Sequence, residues 1–311
     1  MGDVNRRAFI KSGAATAFSL GWARRMSWAD TSAAGPLKFV YYTDIHARLE
    51  WDTPRAMALA ADAINAQGCD LAICGGDVIT DGFEFAAEFV APRWEAYFEK
   101  LHHRINAPVH AMIGNHDLVA AMPKDGSQAA ADPKAIFRKK MNLEKTYRSF
   151  DWRGYHFVLL DSIEVTRDEL KYRGYVDADQ LAWLKNDVAN VSPDTPIIAA
   201  IHMPLLTGFY QATEGSSAPG PANRVVVNNR DVLAAFEGRH LLLVLQGHLH
   251  VDEMLRWRKT TFITGGAVCG QWWRGPWQGT EEGFGVVKIE NGRVDWEYIA
   301  IGWEAQRPTD V

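Results

Sequence analysis

Asp44-Ile45-His46, Gly76-Asp77, Gly114-Asn115-His116-Asp117, His202 and Gly247-His248-Leu249-His250 set carboxylate, amide and imidazole groups in five short clusters. Together they offer enough oxygen and nitrogen donors to hold two transition-metal ions, with one histidine left for proton transfer. Asp44 and His46 are one residue apart, so an extended segment points both to one side and Ile45 into the core. Asp77 follows glycines that allow a tight turn, and its two carboxylate oxygens can bridge two cations, which an imidazole cannot. His248 and His250 alternate in the same way, but a bent loop lets them serve neighbouring metals.

Each cluster comes at or just after the end of an apolar run. Residues 37–43 read as a strand ending at Asp44, residues 71–74 as one delivering Asp77, and residues 109–113 as one before Gly114. Further strands at 157–160, 197–201 and 241–245 end at Asp161, at His202 and before Gly247. Helices fit between them. Thr53 is placed to cap one, with Pro54 in its first turn, an apolar face of Leu59, Ala60, Ala63 and Ile64, and Gly68 at its end. A broken helical stretch covers 85–104, Asp177 with Gln180 forms a capping box ahead of Leu181, Leu184 and Val188, and Asn229 opens a helix bearing Val232, Leu233 and Phe236. After His250 the chain reads as antiparallel strands, with turns at Arg258-Lys259 and Asn291-Gly292. Groups at the carboxyl ends of strands in an α/β sheet converge on one rim, however scattered they are in sequence.

In this order, the clusters resemble the calcineurin-like metallophosphoesterases over about residues 37–265. The resemblance implies an α/β fold, a four-layer α/β/β/α sandwich of two mixed sheets, forming a single catalytic domain at 36–303. It implies two divalent metal ions, one held by Asp44, His46, Asp77 and His250, the other by Asp77, Asn115, His202 and His248. A hydroxide bridging them would be the nucleophile, His116 the proton donor to the leaving oxygen, and Asp117 the group fixing the tautomer of His116. Mn, Fe and Zn all suit these donors. Purple acid phosphatases carry a tyrosine three residues after the bridging aspartate; Thr80 stands there here, which disfavours a ferric-tyrosinate site. The segments 76–82 and 174–184 look like the cyclic-nucleotide phosphodiesterase branch. The expected reaction is therefore hydrolysis of a small phosphodiester; the alternatives are a phosphomonoesterase, or a lipid-headgroup or phosphoprotein hydrolase, on the same fold.

Two loops are candidates for the substrate pocket. Residues 205–223 are rich in Gly, Ser and Pro and long enough to be functional. In the segment 271–277, Trp272 and Trp273 offer stacking faces and Arg274 a partner for phosphate, alongside Asn115; an equal reading has these tryptophans sealing a sheet edge. His102, His103, His110, His156 and His240 read as ordinary core or surface side chains. Cys69 and Cys74 flank one strand and cannot pair without distortion, and Cys269 reads as a packed thiol.

Asn5-Arg6-Arg7-Ala8-Phe9-Ile10-Lys11 resembles a twin-arginine export signal, with an apolar stretch after it too short to span a bilayer and small residues around Trp28 for cleavage. Residues 1–29 are thus expected to be a signal peptide, the twin-arginine translocase a partner, and the periplasm or another exported compartment the destination. Of 33 basic and 38 acidic residues, five and one lie in 1–29, leaving 28 against 37 and a formal net charge of −9. That surface argues against a nucleic acid polymer as partner; a small phosphoester is the partner the resemblance implies.

Overall fold

The computed structural model describes residues 34–308, so the twin-arginine segment and its cleavage region lie outside the described residues. The strand Leu37–Tyr42 shows how the sheets arise. Its residues are buried on both faces, with Leu37, Phe39 and Tyr41 in one apolar cluster and Val40 and Tyr42 in another, as a strand between two layers must be. Leu71–Cys74 pairs with it in parallel and Gly283–Glu290 antiparallel, giving a mixed sheet in the order Arg293–Ala300, Gly283–Glu290, Leu37–Tyr42, Leu71–Cys74, Val109–Ala111. A second mixed sheet runs Glu253–Trp257, Thr260–Thr264, His240–Gln246, Pro196–Ile201, Tyr155–Leu160, Arg148–Trp152.

The two sheets meet face to face. Phe39, Leu71 and Ile73 of the first, with Met112 just past its last strand, share a cluster with Phe157, Leu159, Ile198 and Leu243 of the second, and Phe39 meets Phe157 edge to face at 5.8 Å. Helices cover the other faces: Thr53–Asn65 contributes Met57, Ala60 and Ile64, Ala87–Lys100 contributes Trp94 and Tyr97, and Ala178–Ala189 contributes Leu184 and Val188. No helix among the described residues is long and apolar enough to cross a membrane.

Local differences from the sequence expectation have simple causes. Thr53 does not cap its helix but begins it: Asp52 is the capping residue, held at φ 56°, and the Thr53 hydroxyl donates to the Arg48 carbonyl at 2.8 Å. Asp177 caps as expected, accepting from the Gln180 N–H at 2.8 Å. The capping box is nevertheless half made, because the Gln180 amide is buried and pairs with both backbone groups of Asp161, fixing the end of a central strand. At the hairpin turn Asn291 and Gly292 have φ 51° and 72°, the pair of left-handed residues that matches strand twist.

Gly285 lies under an indole. A Cβ there would fall inside the Trp296 ring, whose Nε1 donates to Asp252 Oδ1 at 2.7 Å. Gly285→Ala is therefore expected to lower stability by about 1–3 kcal/mol, the usual cost of overpacking, measured by chemical denaturation. An unchanged midpoint would mean that the indole swings aside freely.

Candidate metal centre

The ligand clusters sit where strand ends are laced together. The Asp44 N–H donates to the Gly76 carbonyl at 3.0 Å, His46 to Asp77 at 2.9 Å and Gly247 to His202 at 2.8 Å. Asp44 and His46 are not extended, contrary to the alternation read from sequence. Their φ values are 54° and 44°, and Asp77, His248 and His250 are also left-handed at 50°, 69° and 59°. Each such residue costs on the order of 1–3 kcal/mol and persists only where its surroundings over-determine it. Ile45, between the two bends, is fully buried. Gly114 and Gly247 let the turns approach: a Cβ at Gly114 would collide with Asp77 Oδ1, and one at Gly247 with Thr43 Oγ1 and Asp44 Oδ2.

These bends bring Asp44, His46, Asp77, Asn115, His202, His248 and His250 into one buried cluster, none more than 5% exposed. Asp44 Oδ1 is 3.3 Å from His250 Nε2, and Asp77 Oδ2 is 3.3 Å from His202 Nε2 and 3.6 Å from His46 Nε2. His46 Nε2 faces His250 Nε2 at 3.2 Å, while Asn115 Oδ1 is 3.3 Å from His202 Nε2. Groups able to hold a cation form at Asp77, His202 and His248, at His46, Asp77 and His116, and at His46, His250 and Cys269; Asp77 is common to the first two.

Backbone carbonyls decide which ring nitrogens are free. His202 Nδ1 donates to Gly75 at 2.8 Å, His250 Nδ1 to Gly270 at 2.6 Å and His248 Nε2 to Asn223 at 3.0 Å. In the neutral rings the opposite nitrogen then keeps its lone pair: Nε2 of His202 and His250, and Nδ1 of His248. His248 Nδ1 and Asp44 Oδ1 are buried without hydrogen-bond partners. Orphaned acceptors of this kind fit divalent cations, and carbonyl-held imidazoles are how metal ligands are oriented. Thr43 Oγ1 and the His248 N–H hold Asp44 Oδ2 at 2.7 and 3.0 Å.

The charges agree with that reading. Burial opposes a charge on His202, but Asp77, Asp44 and the Gly75 carbonyl outweigh it and raise its pKa to about 9. Burial, then the neighbouring His202 charge, push His248 down to about 3. Asp44 is held well below the ordinary carboxylate range by His250 and His202 despite its burial.

His116 is the less buried histidine of the group and packs edge to face on the His46 ring at 4.6 Å. Its Nδ1 accepts from the Asp81 N–H at 3.3 Å, so in the neutral ring Nε2 carries the proton. Asp117, expected from sequence to orient His116, has another task. Its Oδ1 accepts from the Val78 and Ile79 N–H groups at 2.8 and 3.3 Å, and its Oδ2 from Gly114 at 2.9 Å. Asp117 thus joins two ligand turns, and a backbone N–H fixes the His116 tautomer.

The aromatic segment also needs correction. Trp272 lies over the cluster, 5.0 Å from His250 and 5.8 Å from His46 by ring centroids. Trp273 is fully buried, with Nε1 donating to the His46 carbonyl at 3.2 Å, and Arg274 Nε donates to the Arg307 carbonyl at 3.3 Å. Trp273 therefore does not offer the stacking face read from sequence. Cys269 is buried behind His250, its Sγ 3.9 Å from Nδ1. His156, between Asp151 and Asp187 at 2.7 and 2.9 Å, is a satisfied side chain. Sequence reading missed Tyr172, whose hydroxyl accepts from Asn115 Nδ2 at 3.1 Å, and the carbonyls of Gly75, Asn223 and Gly270. Asn223 lay within a loop flagged for its length; a backbone carbonyl carries no residue-type signal.

The sequence matches the family described as calcineurin-like phosphoesterase over residues 37–252. Solved structures with similar folds include a dimetal phosphatase from Danio rerio (TM-score 0.60, 13% identity, covering 85% of this chain and 96% of that one). Another is GAP50, the anchor in the inner membrane complex of Plasmodium (TM-score 0.55, 14% identity, 88% and 87% covered). A third, from Staphylococcus aureus, is provisionally assigned as a 5′-nucleotidase (TM-score 0.52, 14% identity, 89% and 56% covered). No curated protein sequence matches the chain.

Two outcomes are expected. Because His202 holds a proton below about pH 9 in the metal-free protein, a cation must displace it: metal binding should release protons and weaken as pH falls from 9 toward 6. Calorimetry in buffers of different ionisation enthalpy measures the release, and a pH-independent affinity would contradict it. Asp117→Ala should cost about 2–4 kcal/mol of stability by leaving three buried N–H groups unpaired, read by denaturation of the metal-free protein. A variant of full stability but altered pH–rate profile would restore the orienting role.

Proposed function

The chain belongs to the calcineurin-like phosphoesterases, metal-dependent hydrolases of phosphoesters, and from that premise we propose that it cleaves a small phosphodiester with His116 as the proton donor. The observation that carries this reading is the Asp81 N–H on His116 Nδ1, which leaves Nε2–H beside the ligand cluster. Asp44, His46, Asp77 and His250 would hold one cation and Asp77, Asn115, His202 and His248 the other. Two bound divalent ions supply an acidified water and offset charge on the phosphate. The protein's own groups do the rest. Carbonyls keep the imidazole lone pairs turned inward, Tyr172 holds the Asn115 amide so that Oδ1 faces His202, and His116 Nε2 gives its proton to the departing oxygen. The segment 76–82, read as phosphodiesterase-like, supplies both Asp77 and the Asp81 N–H.

A phosphomonoesterase is the second reading, favoured by Arg224. Its positive charge acts on His248, Tyr172 and Tyr210 together, and it has no carboxylate partner among the described residues. A cation beside a metal centre suits the extra charge of a monoester dianion. Comparing kcat/KM for matched mono- and diesters decides between the two.

His116→Ala should lower kcat by about 10²–10⁴ with metal content unchanged. The loss should be larger for an alkyl ester, whose alkoxide needs the proton, than for a p-nitrophenyl ester. Steady-state kinetics on both substrates tests this; equal losses would assign His116 to phosphate positioning instead.

A further inference from the structure

Adjacent tryptophans meet opposite fates in the turn after Gly270. Trp273 is fully buried, with its N–H on the Cys269 carbonyl at 2.6 Å and its indole on the His46 carbonyl. Gln271 and Gly275 close the turn at 2.8 Å, and the Gly275 N–H is held by Glu282 Oε1 at 3.2 Å. Trp272 and Trp273 are both left-handed, at φ 50° and 68°, a conformation bulky residues seldom adopt. Strain of this kind persists where the surrounding structure forces it and is concentrated at ligand sites. Burial of Trp272 is not what the strain achieves, since that side chain stays 37% exposed. What it achieves is an indole beside His46 and His250 with surface open to solvent.

The same imidazole gives the direction. His46 packs against His116 on one side and Trp272 on another. The oxygen that takes the His116 proton would belong to the leaving alcohol, which would then depart beside the His46 imidazole on which Trp272 also packs. The retained part of the ester would then fall toward His248, which feels the Arg224 charge, and toward Asn115 with its Tyr172 partner.

We infer that Trp272 seats the leaving group, and that substrates whose leaving alcohol carries a flat ring are bound in preference to those with an aliphatic one. The inference rests on the hydrolase reading above. An indole face gives a ring a dispersion and quadrupole contact that an alkyl chain of similar size matches poorly.

The test uses metal-loaded wild type, Trp272→Ala and Trp272→Phe with uncleavable phenylphosphonate and ethylphosphonate, read by calorimetry, together with KM for phenyl and ethyl esters. Stacking of a flat ring on an aromatic side chain predicts a five- to hundred-fold weakening of the phenyl ligand in Trp272→Ala, on the order of what alanine substitution does at base-stacking sites. The ethyl ligand should change less than about twofold on the same stacking argument, and Trp272→Phe should keep most of the preference. Equal weakening of both ligands, no change in either, or loss of metal from Trp272→Ala would overturn the assignment and leave Trp272 as a cover for its histidines. Absence of metal-dependent hydrolysis by the wild type would strike the catalytic reading, while the phosphonate comparison still decides for or against Trp272.

Discussion

Imidazole and carboxylate groups packed together with their lone pairs converging are unstable company unless something outside the cluster dictates where each proton goes. Here that is done by the backbone. Gly75, Asn223 and Gly270 each offer a carbonyl to one histidine, and the nitrogen turned away from the carbonyl is the one facing the centre. These carbonyls come from three different stretches of chain, so the whole sandwich must be assembled before the tautomers are set. The orphaned Asp44 Oδ1 and His248 Nδ1 are the remainder of that arrangement, acceptors left for a cation.

Left-handed backbone at Asp44, His46, Asp77, His248 and His250 is the conformational counterpart. Packing of three helices and an inter-sheet core hold five left-handed residues in place, with Asp117 tying the 77–79 turn to Gly114 through three backbone N–H groups. Asp117 looks like chemistry in sequence because it follows a histidine. In space it is a cross-link between ligand turns, and its burial places it behind the centre.

Much of the fold was legible because its signals are local. The run Leu71–Cys74 and the Asn291-Gly292 turn need only residue types to be placed, and the strand-end position of every ligand followed from apolar runs. The residues that converge were legible as types as well. Their orientation was not: whether Asp44 and His46 are extended or bent depends on Gly76 and Asp77 carbonyls more than thirty residues away. Nor can two adjacent tryptophans be told apart in sequence when one anchors a turn and the other caps it. Tyr172 and Asn223 had no residue-type signal, since one acts through a hydroxyl on the short strand Tyr172–Gly174 and the other through its main chain.

Fold and function separate at this point. A dimetal phosphatase and an anchor of a membrane complex share this architecture at comparable similarity, so the sandwich alone specifies neither catalysis nor substrate. What distinguishes one member from another must lie in groups that the fold leaves free to vary. In this chain two such groups flank the cluster: a strained aromatic turn beside His46 and His250, and the Asn223-Arg224 segment beside His248. Both are tied to ligands by hydrogen bonds, through the Trp273 indole on the His46 carbonyl and the Asn223 carbonyl on His248. If His46 and His248 hold metal as proposed, a change in either loop would move a ligand as well as the surface beside it, which would couple substrate choice to metal binding.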